Sequence, residues 1–193
     1  MARAAEDAPI LTVRCRADLR NWLEQNHTGP GPVWLATYKK HHPSYMPYEP
    51  QAEELLCWGW IDSVTRALDA DRSMILIAPR RVTSAWSAIN KAHVDRARAS
   101  GAMTPAGEAK IAAAVANGQW VFLDDVERLD LPADLAAALA GGTRAVWDAY
   151  PRSVKRGCLE WIKTARTAPT RAARIADVAQ DAASGLRPRL FRR

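Results

Sequence analysis

The chain has 193 residues, with 27 Lys+Arg against 21 Asp+Glu and a net charge of +6. That length suits one domain, or one domain and a small appendage, and is ample for a hydrophobic core. At 48% hydrophobic and 25% charged residues, the chain reads as folded and globular, since disorder needs fewer apolar residues. No apolar run is long enough to cross a bilayer. Residues 1–9 carry Arg3, Glu6 and Asp7 and lack the apolar stretch of a secretion signal. Cys15, Cys57 and Cys158 are odd in number and scattered, so neither a disulfide framework nor a thiolate metal site is expected. The expected compartment is the cytoplasm.

The charge is uneven. Residues 150–193 hold 11 basic and three acidic residues, while the rest of the chain is mildly acidic. Trp is the compositional outlier, with eight residues against four Tyr and two Phe. Most of these rings are read as core, where Trp supplies a large apolar area and one N–H donor.

In chain order, residues 11–14 predict a short strand, and Asp18 an N-cap for a helix to residue 26. The Gly29-Pro30-Gly31-Pro32 run stops it, and residues 33–39 read as a strand. Residues 41–50, with three prolines, form a loop before a helix over 50–58, where Pro50 fits the first turn. Residues 61–68 and 73–78 predict a hairpin closed at 69–72. From residue 83 the apolar period becomes helical. Helices are predicted from Thr83 or Ser84 to 100, from Thr104-Pro105 to 117, over 132–140, over 143–150, over 153–166, and from a Thr170 cap to 184. Residues 120–131 read as a connector, and 187–193 as a basic tail. The expected fold is α+β. An N-terminal part, residues 1–120, carries a small, mainly antiparallel sheet with helices. A C-terminal part, residues 121–186, is all-helical.

No Gly-rich phosphate loop, serine elbow or HExxH motif is present. His41-His42 lacks a third ligand at metal spacing, so no metal is expected, and no cofactor either. Two clusters stand out. In Trp58-Gly59-Trp60-Ile61-Asp62, Gly59 permits a sharp helix-to-strand turn, and Asp62 is a carboxylate at the edge of an aromatic pocket. The bland alternative makes Asp62 a turn cap and both Trp core. In Arg80-Arg81-x-x-Ser84-x-Trp86-Ser87-x-x-Asn90, two arginines precede a helix N-terminus, an arrangement that collects anions. Asn90 and His93 would share a helical face with Trp86.

These strings, with Gly101-Ala102-Met103-Thr104-Pro105-Ala106-Gly107 and the C-terminal Glu160-Trp161-Ile162-x-x-Ala165-Arg166, resemble the YdeI/OmpD-associated family of bacteriocin-protection proteins. The resemblance implies protection against antimicrobials or envelope stress and carries no catalytic residues with it. One departure is informative. Where such proteins read like R-Y-x-x-R-F-T-P-R-R, this chain has Ser73, Leu76, Ile77 and Ala78, so a polar strand face has become apolar. Whether that strand faces a pocket or the core is open at this stage.

Three functions compete. The first is a protective binding protein that holds an amphipathic or apolar small molecule or peptide against Trp58, Trp60, Ile75, Ile77, Arg80, Trp86 and Asn90. The second is a biosynthetic enzyme on the same pocket. Its candidate catalytic residues are Asp62 and His93, with Asp62 as acid/base and Arg80, Asn90 and His93 receiving an anion or carbonyl. The third is a nucleic-acid binder through the basic C-terminus. It is the least favoured, because the basic helices carry a regular inward stripe and no base-reading element. Oligomeric state is left open.

Overall fold

A computed structural model describes residues 6–192. The reading of residues 1–9 as free of a secretion signal therefore falls largely outside the described residues. The chain divides into two compact units, one ending at Phe122 and one beginning at Leu123.

The first unit is built on four strands: β1 (Ile10–Thr12), β2 (Val33–Tyr38), β3 (Trp60–Ala67) and β4 (Arg72–Pro79). Their order is β1-β2-β4-β3. β1 runs parallel to β2, and the other pairings are antiparallel. The fold is α+β, as the sequence predicts. Register assigns the two faces. Val33 pairs with Ile77 and Leu35 with Ile75, and these side chains meet Leu19 and Leu23 of helix α1 (Arg16–Asn26) and Leu55 of α2 (Tyr48–Cys57) in one core. Full burial of each such side chain contributes roughly 1.5–3 kcal/mol over leaving it in water. A second core gathers Leu56 of α2, Trp86, Val94 of α3 (Ala88–Ala99) and Ile111 of α4 (Pro105–Ala116).

Several boundaries differ from the sequence reading, each for a reason seen in the hydrogen bonds or the strand register. Cys15, not Asp18, is the N-cap of α1; Asp18 lies in the first turn and accepts the Arg14 N–H at 2.8 Å. Helix α2 starts at Tyr48, still with Pro50 in its first turn. The alternation expected along β3 is interrupted by a register shift between Asp62 and Thr65. Helix α3 begins at Ala88 rather than at residue 83 or 84. Ser87 Oγ caps it by accepting the Asn90 N–H, while the Trp86 N–H is given to Gln119 and the Ala85 carbonyl to Arg80. With those groups committed elsewhere, residues 81–87 cannot continue the helix backward. Trp86 therefore precedes α3 and does not share a helical face with Asn90.

In the second unit, α5 (Asp124–Arg128) occupies what the sequence reads as a connector. It is followed by α6 (Ala133–Ala138), α7 (Thr143–Ala149), α8 (Arg152–Lys163) and α9 (Ala168–Ala183). Val154, Cys158, Leu159 and Ile162 form the buried stripe of α8. Thr167, not Thr170, caps α9: its Oγ1 accepts the Thr170 N–H, and Pro169 sits within the first turn.

The described part of the basic tail, residues 187–192, is held against the helices. Residues 189–191 form a 3-10 turn. The Arg189 N–H and the Arg192 guanidinium both bond Asp181, and Arg189 also reaches Asp177. Phe191 lies so close to Gly157 that a Cβ there would come 2.4 Å from its ring.

Candidate functional site

The Cys57–Asp62 stretch turns sharply from α2 into β3. Gly59 makes the turn at φ +72°, and an added Cβ would fall 3.1 Å from the Ala106 carbonyl. The turn sends the two flanking indoles toward α1. Trp60 is 1% exposed, donates its Nε1–H to the His27 carbonyl at 3.0 Å, and meets Trp22 edge-on. Trp58 donates to Glu54 Oε1 at 3.0 Å, with the Arg20 guanidinium over its ring and His27 beside it. Ile75 and Ile77 face the same core.

Around Trp58 lies a charge network that the sequence reading missed. Glu54 is fully buried and takes Arg16 at 2.7 Å and Arg20 at 2.8 Å; Glu53 takes Arg16 at 2.9 Å and Arg96 at 3.2 Å. Locally, acids in the early part of a helix read as partners of its dipole. The arginine partners of Glu53 and Glu54 lie 34 or more residues away, and no spacing rule reaches that far.

A second set of polar residues holds Arg80, Asp62 and His93. Arg80 is 2% exposed, and its guanidinium stacks 3.8 Å from the Trp86 ring. Its Nη2 donates to the Ala85 carbonyl. Its Nε and Nη1 are buried without a hydrogen-bond partner in the protein, the two such side-chain atoms among the described residues. Burial draws the Arg80 pKa down to about 10, and the Asp62 carboxylate opposes that shift. Asp62 is half-buried and accepts the Tyr48 hydroxyl at 3.0 Å; burial and this carboxylate push Tyr48 up to about 12. His93, also 2% exposed, receives Arg96 on Nδ1 at 2.6 Å. Burial first, then the Arg96 charge, hold it below the ordinary histidine value. Asn90 sits in the first turn of α3.

Next to this group a cleft of about 590 Å³ opens, lined by Ile61, Leu76, Ala78 and Pro79, with Asp62, Ser63, Arg81 and Ser84 as its polar groups. Gly31-Pro32 forms one wall. A Cβ on Gly31 would fall 2.6 Å from Pro79, so the close approach needs glycine. The question left open for residues 73–78 resolves by alternation. Ile75 and Ile77 face the core, while Leu76 and Ala78 face the cleft. Trp58, Trp60, Arg80, Trp86, Asn90 and His93 do not line this cleft. A smaller hollow of about 210 Å³ lies by Tyr38, Tyr45, Met46 and Tyr48.

His41 pairs with Asp71 at 3.0 Å and His42 stacks on Tyr38, so the two imidazoles have separate partners. No cluster of three or more His, Cys, Asp or Glu among the described residues could hold a metal ion. No helix among them is long and apolar enough to cross a membrane.

An α+β unit with a cleft on one sheet face, followed by a helical unit, defines the class of protein. Residues 11–110 match the model of a domain of unknown function (DUF8412), and the chain belongs to that family. Residues 128–185 match the family described as bacteriocin-protection, YdeI or OmpD-associated, the family expected from the sequence motifs. No curated protein and no solved structure matches the chain.

Proposed function

We propose that the protein is a binding protein of the bacteriocin-protection type, holding an amphipathic or largely apolar small molecule in the cleft beside β4. One observation carries this reading: an apolar floor of Ile61, Leu76 and Ala78 meets a polar rim of Asp62, Ser63, Arg81 and Ser84 in a space of about 590 Å³. Ligand sites commonly combine apolar lining with a few polar groups at that scale. The family match supports a protective role in general terms. Three cysteines without disulfide partners, two of them buried, support a reducing compartment and thus the cytoplasm.

The test is titration with a panel of membrane-active antibiotics, read by calorimetry and intrinsic Trp fluorescence. At least one saturable isotherm is expected, weakened about tenfold by Leu76→Gln, which makes the floor polar. Flat titrations across the panel would sink the reading.

A second reading keeps the cleft and adds chemistry, with Asp62 as acid/base. Its support is the Tyr48 hydrogen bond, which orients the carboxylate at the cleft border. In any reaction found for the protein, Asp62→Asn is expected to abolish turnover under this reading, and full activity would exclude it.

A further inference from the structure

The sheet face that packs on the helices changes character toward the turn of the β3–β4 hairpin. Val33, Leu35, Ile75 and Ile77 belong to the core. The next positions of that face, Thr37 and Ser73, pair across β2 and β4 and carry hydroxyls, and Thr65 stands opposite Ile75. With Tyr45, Tyr48 and Gln51 they line the hollow of about 210 Å³. Thr37 and Gln51 are each only 7% exposed. Gln51 gives its amide N–H groups to the Met46 and Pro47 carbonyls, at 2.8 and 3.2 Å. Its Oε1 and the Thr37 Oγ1 then have no hydrogen bond among the described residues. Polar atoms in such enclosed side chains normally find a partner. Neither oxygen is sealed in the interior, so the small opening left at each residue reaches the oxygen, and it gives onto the hollow.

We propose that this hollow is a binding site for one neutral sugar ring, separate from the cleft that Leu76 and Ala78 shape on the other face of β4. Its volume equals about seven liquid waters at roughly 30 Å³ each. That is room for one hydroxylated six-membered ring, and less than the roughly 300–1,000 Å³ that drug-sized ligands occupy. Lys39 is the charged residue of the lining, and its Nζ is held by the Asp69 and Ala70 carbonyls at 2.6 and 3.0 Å. A charged ligand would therefore meet no waiting counter-ion. Gln51 Oε1 accepts only, while the Thr37, Thr65 and Ser73 hydroxyls both donate and accept. A ring carrying several hydroxyls matches that set. Tyr45 and Tyr48 are 43% and 48% exposed, which offers aromatic surface to the C–H face of such a ring. The site is also preformed. Tyr38 and Tyr45 make a β-bridge, the Tyr45 N–H bonds the His42 carbonyl, and the Ser44 N–H bonds His42 Nδ1. The loop between β2 and α2 thus needs no ordering when a ligand enters.

The experiment titrates the whole chain, labelled with nitrogen-15, with methyl glucoside, methyl galactoside, N-acetylglucosamine and, as a ring with a single hydroxyl, cyclohexanol. Amide correlation spectra are the readout. At least one sugar is expected to shift the signals of residues 37–51 and 65–75 saturably, with a Kd on the order of 1–10 mM for a ligand of so few atoms. Cyclohexanol is expected to bind at least tenfold more weakly. Thr37→Val, which keeps the shape and removes the hydroxyl, is expected to weaken the sugar about fivefold while the melting temperature holds or rises. Ser73→Phe, which fills the hollow, is expected to abolish binding, and it carries the test if Thr37→Val does not fold. Leu76→Gln, the cleft variant, is expected to leave the sugar unaffected. No saturable shift with any sugar overturns the proposal, as does an affinity unchanged by Thr37→Val or Ser73→Phe in a folded protein. Equal binding of cyclohexanol overturns the sugar assignment. Loss of sugar binding in folded Leu76→Gln moves the ligand to the cleft and overturns the separate site.

Discussion

At the scale of single residues, burial separates charged groups that the sequence presents alike. Glu54 holds two arginines and an indole from the interior, so Glu54→Gln is expected to lower stability by about 2 kcal/mol. That figure is below the usual penalty for breaking a buried pair, because Arg16 and Arg20 retain water access. Urea unfolding checks it, with the midpoint shifting and the m-value constant. His93 gives a pH signature. Its folded pKa lies below the ordinary 6.5, so the unfolded chain takes up the proton first on acidification. The stability that neutral His93 contributes is complete above about pH 6.5 and is lost as pH falls from there toward the folded value. The carboxylates held low by their partners, such as Glu108 with Arg98, act only in a more acidic window. A series of melting temperatures between pH 7.5 and 5 is expected to decline in the wild type and to flatten in His93→Gln. Asp62 was visible as a candidate because it closely follows the Trp58-Gly59-Trp60 turn, and Arg80 because it belongs to an arginine pair ahead of an expected helix start. Tyr48 was not, since a tyrosine at the end of a proline-rich loop carries no local signal of a partner 14 residues on.

At the scale of elements, caps and close approaches decide more than propensity. Thr104 both caps α4 and donates its hydroxyl to the Cys57 carbonyl at 2.6 Å, which ties the helix start to the end of α2. Replacing Gly107 by Ala would raise helix propensity by about 1 kcal/mol on an exposed helix. Here the new Cβ would fall 2.4 Å from the Cys57 carbonyl oxygen, so Gly107→Ala is expected to lower the melting temperature instead, measurable by circular dichroism. The Thr104-Pro105 start was legible in the sequence because a side-chain cap and a first-turn proline are local devices. The start of α3 was not. Its position depends on Gln119 and Arg80 taking backbone groups near residue 86, and those are tertiary bonds. Helix α5 escaped for a related reason: five residues rich in acid show no full apolar period.

At the scale of the whole molecule, the excess of basic residues after residue 150 is less of an asymmetry than it looks. Acids earlier in the same helical unit meet it: Glu127 takes Arg156 at 2.8 Å, Asp125 takes Lys163 at 2.6 Å and Asp134 takes Arg171 at 2.7 Å. Arg189 and Arg192 are paired as well. Composition counted these acids with the N-terminal part, and only the fold returns them to their partners. Each pair is partly exposed and worth little by itself, but together they lower the field available to phosphates. Duplex DNA is therefore expected to give no mobility shift at 150 mM salt, and a shift that persists there would contradict this account.

Strand β4 also has a consequence for how such a protein changes over time. Alternate side chains serve two masters: positions 75 and 77 hold the interior together, and positions 76 and 78 shape the surface that a small molecule would meet. Drift at the second pair can therefore retune what is held without loosening what holds. Saturation mutagenesis of 75–78, scored separately for melting temperature and for ligand retention, is expected to show the two scores alternating residue by residue.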